Sequence, residues 1–318
     1  IPVMNKEKSP SHSGRRSRYG GQKGGFLVPA VITHHLLAQR VLEEIKAKGL
    51  QQNLDGDAFF WGAQGPDFFF FHRVLPWWKG ESLSEYGGRL HKAKPSEIIA
   101  ALREYASGGG GLAQSYMCGF FCHYSLDRTA HPFIHDSERK LLKLHPEQSL
   151  TVFHNEIEAT LDVIMLRYER NDLPIDFDLR TALPANSGVQ NMIASMYDFL
   201  LGQMFGVSVG RPQVFQATED ARRALGHLND RTTLKRRCVR GMEDIAKKPH
   251  ILSCLRRPAE DGKWDYANAM HNTWEKDGEL HEESFFELFD AAADGAMKMI
   301  EDYFSGKSPL EITQDIPF

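Results

Sequence analysis

Cysteine is scarce in this chain, with four among 318 residues, at positions 118, 122, 238 and 254. That is too few for a disulfide framework. Cys118 and Cys122 stand four apart, a spacing that makes them small apolar neighbours on one helix face rather than a zinc knuckle. Long hydrophobic runs are missing too, so no segment reads as a membrane span. The opening stretch, IPVMNKEKSPSHSGRRSRYGGQKGG, is polar, basic and glycine-rich and lacks the apolar stretch of a secretory signal. The expectation is a cytoplasmic chain, or a secreted one whose signal was removed, with residues 1–26 forming a disordered polar tail. Net charge is only −4, without the basic excess typical of nucleic-acid binders, so no specific nucleic-acid partner is expected. Alternating strand patterns are almost absent, and no internal repeat is visible.

Helical periodicity is what remains. In VITHHLLAQRVLEEIKAKG the apolar residues recur at 31, 32, 36, 37, 41, 42 and 45, and Gly49 stands where a C-terminal cap belongs. Residues 95–106 read as a helix with an acidic first turn, the glycines 108–111 as a flexible link, and the apolar stretch after them as a helix closed by Pro132. Further helices are expected at 149–170 and near 188–205, 217–228, 231–247 and 282–304. The fold class is all-α, a multi-helix bundle, with residues 27–318 as one domain.

Ten of the fourteen histidines lie in the first 158 residues, and their spacing relative to carboxylates carries the chemistry. His123 and Asp127 are four apart, so on a helix they project from the same face. His131 follows one turn later, and His154 with Glu158 repeats the arrangement on the next long helix. Their neighbours are apolar: Met117, Phe120, Phe121, Tyr124 and Leu126 around the first pair, Val152, Phe153, Ile157 and Leu161 around the second. A carboxylate in such surroundings is costly to bury unless it is paired or bound to metal. Imidazoles and carboxylates one turn apart, facing inward from several helices, are how a bundle builds a metal cluster, and without thiolates they suit a catalytic zinc site. Any single histidine of this set reads first as a hydrogen-bonded core or surface residue; the two pairs together favour the cluster.

These residues resemble the bacterial zinc-dependent phospholipase C family. The similar segments are, in order, ITHHLLAQ (32–39), FWGAQGPDFFFFHR (60–73), GGRLH (87–91), GFFCHYSLDRTAHPFIH (119–135) and HNEIE (154–158), spanning roughly residues 29–170. The resemblance implies an all-α fold and a cluster of two or three zinc ions that activates water to hydrolyse a phosphate ester. It implies His34, Asp67, His91, His123, Asp127, His131, His154 and Glu158 as metal ligands. Asp127 is then the carboxylate bridging two ions, and Asp67 is alternatively the general base. His34 is preferred over the adjacent His35, and His131 over His135; His72 is read as supporting a ligand or as structural. The secreted members complete a metal site with the amine and carbonyl of an N-terminal tryptophan, where this sequence begins with isoleucine, and the side chain of Trp61 does not replace that chelate.

The aromatic block at 59–78 reads mainly as core packing, with Trp77 and Trp78 as the candidates for a substrate-binding loop at the site mouth. The implied partner is a phospholipid or other phosphoester, with transient contact to a membrane surface; nothing in the sequence speaks to oligomeric state. Arg231, Lys235, Arg236, Arg237 and Arg240 form a cationic stretch that reads as a solvated helix face. The rival functions are a zinc-dependent single-strand nuclease, a phosphomonoesterase and a non-catalytic metal-binding protein.

Overall fold

A computed structural model describes residues 30–50, 53–74, 78–246, 262 and 264–318; the expected tail, residues 1–26, lies outside them. Helix α1 (Val31–Lys48) ends on Gly49, whose left-handed backbone (φ 66°) lets its N–H reach the carbonyls of Ile45 and Lys46. Its N-terminus has no side-chain cap of its own. The buried Asp162 of another helix takes that place, accepting hydrogen bonds from Ile32 N (3.1 Å), Thr33 N (2.7 Å) and Thr33 Oγ1 (2.7 Å). Helix α2 (Gly56–Ala63), capped by Asp55, runs into a 3₁₀ turn (Gly65–Phe71) and is followed by the short α3 (Ser84–Leu90).

The longest span is α4 (Pro95–Leu144), two helices joined across a kink at the non-helical Gly110 (φ 72°, ψ −167°). The glycines 108–111 thus link two helices, as expected. Pro132 corrects the other expectation: it does not end the second helix, which continues to Leu144. An internal proline forfeits one backbone hydrogen bond and costs on the order of 3 kcal/mol, but Ala130, Phe133, Ile134 and Leu141 on both sides are buried in the core and hold the helix across it.

Helix α5 (Leu150–Arg170) starts at the Ser149 cap and stops at Asn171 in left-handed conformation. A 3₁₀ turn (Leu179–Ala182) leads to α6 (Ser187–Phe205), α7 (Arg211–Leu228) and α8 (Leu234–Ile245). Helix α7 begins earlier than the pattern at 217 suggests, with Pro212 in its first turn, where the missing N–H costs nothing. The chain closes with α9 (Phe285–Phe304), opened by a Ser284/Glu287 capping box, and α10 (Pro309–Thr313). Among the described residues the only strands are β1 (Trp274–Lys276) and β2 (Glu279–His281), an antiparallel pair in which Trp274 faces His281. Their turn, Asp277-Gly278, has positive φ at both residues, as a two-residue hairpin demands. The protein is a helical bundle, as expected.

Helix α4 packs against α2, α5, α6 and α9 and so forms the spine of the core. Its contact with α2 is backbone on backbone. A β-carbon on Gly62 would lie 2.1 Å from the Tyr116 carbonyl oxygen, and one on Gly119 would lie 2.0 Å from that of Phe59. This approach draws the 3₁₀ turn after α2 onto the face of α4 that carries His123. Cys118 and Cys122 are buried small side chains on that spine, and Phe59, Trp61, Phe68, Phe69 and Phe71 fill the core between α2, the turn and α6.

Candidate metal centre

Three helices and two turns bring the histidines and carboxylates of the first half together. Asp127 is the hub. Its Oδ1 lies 3.2 Å from His34 Nε2, and its Oδ2 lies 3.5 Å from His123 Nε2 and 3.6 Å from His91 Nε2. His91 Nε2 also stands 3.1 Å from Asp67 Oδ1. A second group forms where α4 meets α5: Glu158 Oε1 is 3.2 Å from His154 Nε2 and 3.9 Å from His131 Nε2. His34, Asp67, His123, Asp127, His154 and Glu158 are buried; His91 and His131 are partly exposed and open the cluster to solvent.

Local structure explains these placements. Asp162 holds the first turn of α1, and the register that follows points His34 at Asp127. The adjacent His35 turns the other way, its ring against Phe60 (4.7 Å) and Phe177 (5.9 Å); burial and the charge of Arg170 push it down to about 3. Asp67 sits in the first turn of the 3₁₀ segment, where an anion is favoured. His91 follows the last turn of α3 and donates from Nδ1 to the Gly87 carbonyl (2.8 Å), leaving Nε2 toward the two aspartates.

The electrostatics are those of carboxylates and imidazoles in close exchange. Burial works to raise Asp127, yet the histidines around it, with hydrogen bonds from His34 and His91, hold it well below the usual carboxylate range. Glu158 is held down at about 2, because His154 and His131 outweigh its burial, and against its own burial His154 is pushed up to about 10 by Glu158 and Glu138. His123 is the exception: burial outweighs Asp127 and Asp67, and it is pushed down to about 4. It therefore stays neutral, the form in which imidazole binds a metal.

A cation fits this donor set. His34 Nδ1, both ring nitrogens of His123, His154 Nε2 and Glu158 Oε2 are buried without a hydrogen-bond partner, and orphaned buried polar atoms call for an explanation. The separations of 3.1–3.9 Å among the facing nitrogens and oxygens are also close to the edge of a tetrahedron, about 3.3 Å for zinc–ligand bonds of about 2.0–2.1 Å. Three ligand groups could each hold an ion with the predicted residues: His34/His123/Asp127, Asp67/His91/His123 and His131/His154/Glu158. All eight residues expected as ligands thus fall in these groups. A fourth group, His135/Glu138/His154, sits beside the third. There the buried Glu138 accepts from His154 Nδ1 (2.5 Å) and lies 3.1 Å from His135 Nδ1.

Sequence reasoning passed over four residues at this centre. Glu138 orients the ring of His154 through Nδ1, so that Nε2 faces Glu158. Asp162 extends the α5 ladder of His154 and Glu158 by one more turn, a periodicity that was there to be found. Gly65 lies directly against His123. Phe318 places its ring 5.3 Å from His91, 5.9 Å from His123 and 4.9 Å from Tyr124. It is held there by Tyr124 Oη, which donates to the Ile316 carbonyl (2.5 Å). Phe70, 5.8 Å from the ring of His91, forms a second aromatic wall. Trp78 is half-buried, and Trp77 lies outside the described residues. His72 Nδ1 accepts from Leu83 N (2.9 Å). A cleft of about 550 Å³ between Asp176, Arg180, Asp230 and Lys235 is lined by none of the candidate ligands, and its Arg180 is already paired with Asp178. The converging buried donors locate the centre better than surface volume does.

A helical bundle with buried His/Asp/Glu groups facing one another across α1, α4 and α5 defines the class: an all-α protein with a candidate multi-metal centre. The family model of zinc-dependent phospholipase C matches residues 33–200, more than half of the chain and a span within which the eight candidate ligands lie, and the chain belongs to that family. No curated protein and no solved structure matches it. The family's cation is zinc.

Proposed function

We propose that the chain is a phosphodiesterase of the phospholipase C type, holding two or three zinc ions in the cluster and acting on a phospholipid. The single observation that carries this reading is the set of buried, unpartnered ligand atoms around Asp127 and Glu158, in a chain of the zinc-dependent phospholipase C family. His34, His123 and Asp127 would hold one ion, Asp67 and His91 with His123 or Asp127 a second, and His131, His154 and Glu158 a third. When bound, zinc supplies the positive charge that neutralises the phosphoryl oxygens and makes water acidic enough to attack near neutral pH.

The chain's own residues do the rest. Asp127, placed between three imidazoles, is the carboxylate able to bridge two ions. Asp67 reaches His91 through Oδ1 and has a second carboxylate oxygen with which to accept a proton from the attacking water. The water oxygen bonds to phosphorus, the bond from phosphorus to the alcohol oxygen breaks, and the departing alkoxide takes up a proton. Phe70 and Phe318 wall the side of the site next to His91, offering an apolar surface to the substrate around the phosphate.

The test is a panel of metal-loaded protein against a chromogenic choline phosphodiester, dispersed phospholipid, a phosphomonoester and single-stranded DNA. Cleavage of the diester and of lipid, abolished by chelator and restored by zinc, is the expected result. Cleavage of DNA or of the monoester alone would move the assignment to a nuclease or monoesterase, and bound zinc with no turnover of any substrate would make the centre non-catalytic.

A further inference from the structure

Helix α8 is built the wrong way round for a helix of the core. Across Leu234–Ile245 only one residue is buried, and it is a carboxylate, Glu243. The large apolar side chains point out: Leu234 and Met242 are each 61% exposed and Ile245 86%. With Cys238, also exposed, they occupy positions 234, 238, 242 and 245. At roughly 100° per residue these four fall within an arc of roughly 80°, so the exposed residues form one continuous apolar stripe whose back is the Glu243 side. Lys235 borders the stripe on one edge and Arg237 on the other, both exposed. Four cations stand against two carboxylates on this helix, while the whole chain is net negative. Lys235 donates to the carbonyls of His227 (3.3 Å) and Asn229 (2.8 Å) at the end of α7.

An outward apolar stripe is unfavourable in water unless something covers it. Cationic edges select the cover. A second copy would bring its own cations against these, whereas an anionic lipid surface takes the apolar side chains into its acyl boundary and the ammonium and guanidinium groups into its phosphate layer. We infer that α8 is a docking helix that lies in the surface of an anionic phospholipid membrane through Leu234, Cys238, Met242 and Ile245, with Lys235 and Arg237 at the headgroups. The choice of lipid as occupant rests on the proposed action on phospholipid, but docking is measured without turnover, so the two stand or fall separately.

The experiment is co-sedimentation of the full chain, without added metal, with extruded vesicles of phosphatidylcholine alone or with three-tenths phosphatidylglycerol. The wild type is expected to sediment with the mixed vesicles and to be released by high salt. Leu234→Ser/Met242→Ser/Ile245→Ser should lose at least about tenfold in partitioning. Lys235→Gln/Arg237→Gln should lose about fivefold per cation on mixed vesicles and little on neutral ones. Leu280→Ser, an equally exposed apolar site on β2, should change nothing. Because the triple variant could alter α8 itself, the Cys254→Ser protein labelled at Cys238 with an environment-sensitive fluorophore gives a second reading, expected to shift to the blue on mixed vesicles. Equal partitioning of wild type and triple variant, an unshifted probe, or self-association that the triple variant abolishes would each overturn the assignment.

Discussion

His123 packs so tightly against Gly65 that a β-carbon on the glycine would lie 2.2 Å from His123 Cδ2. Gly65 also has φ +50°, a conformation that side chains rarely adopt. One residue thus satisfies two demands, the left-handed entry to the turn that carries Asp67 and the space for the ring between Asp67 and Asp127. Gly65→Ala is expected to displace His123 and cost on the order of 2 kcal/mol or more in stability, with loss of bound zinc. Metal content and thermal unfolding of the folded variant check this; unchanged zinc would show that the contact is not needed.

Among the eight expected ligands Glu138 is hydrogen-bonded to His154. Its carboxylate accepts a hydrogen bond from Nδ1 and aims Nε2 at Glu158. Loss of such a partner typically weakens metal binding by about 10–100-fold. Glu138→Ala should show that loss in a zinc competition titration, and Glu138→Gln, which still offers a carbonyl acceptor, should recover part of it. An equal loss in both variants would point to charge rather than orientation.

Asp162 ties α5 to the start of α1, where its three hydrogen bonds stand in for an N-cap. Asp162→Ala is expected to cost on the order of 3 kcal/mol by leaving the Ile32 and Thr33 donors buried and unmet, and to loosen His34. Denaturant unfolding measures the first effect and zinc titration the second. Thr33→Val, which removes one of the three bonds, should cost about 1 kcal/mol.

His72 makes the fold sensitive to acid. Burial, reinforced by the charge of Arg73 and only partly offset by Asp220, pushes it down to about 4 from its ordinary 6.5. Between those values the unfolded chain binds the proton and the folded chain does not, so stability falls as pH drops from 6.5 toward 4. The loss is on the order of 3 kcal/mol. His72→Gln, whose amide oxygen can still accept from Leu83 N, should flatten that part of the stability–pH curve; an unchanged slope would show that other groups govern it.

Much of this was legible in the sequence because helices convert spacing into direction. His123 with Asp127, and His154 with Glu158, needed only a period of 3.6 residues to be placed on common faces. The helical bundle followed from the same periodicity and from the scarcity of alternating runs. What stayed hidden depends on contacts between distant elements. Nothing in the neighbourhood of Gly65 announces that a histidine 58 positions later will rest on it, and Phe318 meets His91 only because Tyr124 holds the Ile316 carbonyl. Pro132 misled because its local cost is real, and the burial of Phe133 and Ile134 that overrides it is a tertiary effect. The Asp277-Gly278 hairpin signal was present but its strands are too short to show alternation.

The most direct test of the account is the zinc content of the purified, folded protein by elemental analysis, for the wild type and for His123→Ala and Glu158→Gln, the two changes falling in different ligand groups. The account predicts at least two equivalents of zinc in the wild type, a loss of at least one in each variant, and hydrolysis of the phosphodiester lost with it. A wild type that folds but takes up no zinc from solution, or variants that keep the full complement and full turnover, would contradict it.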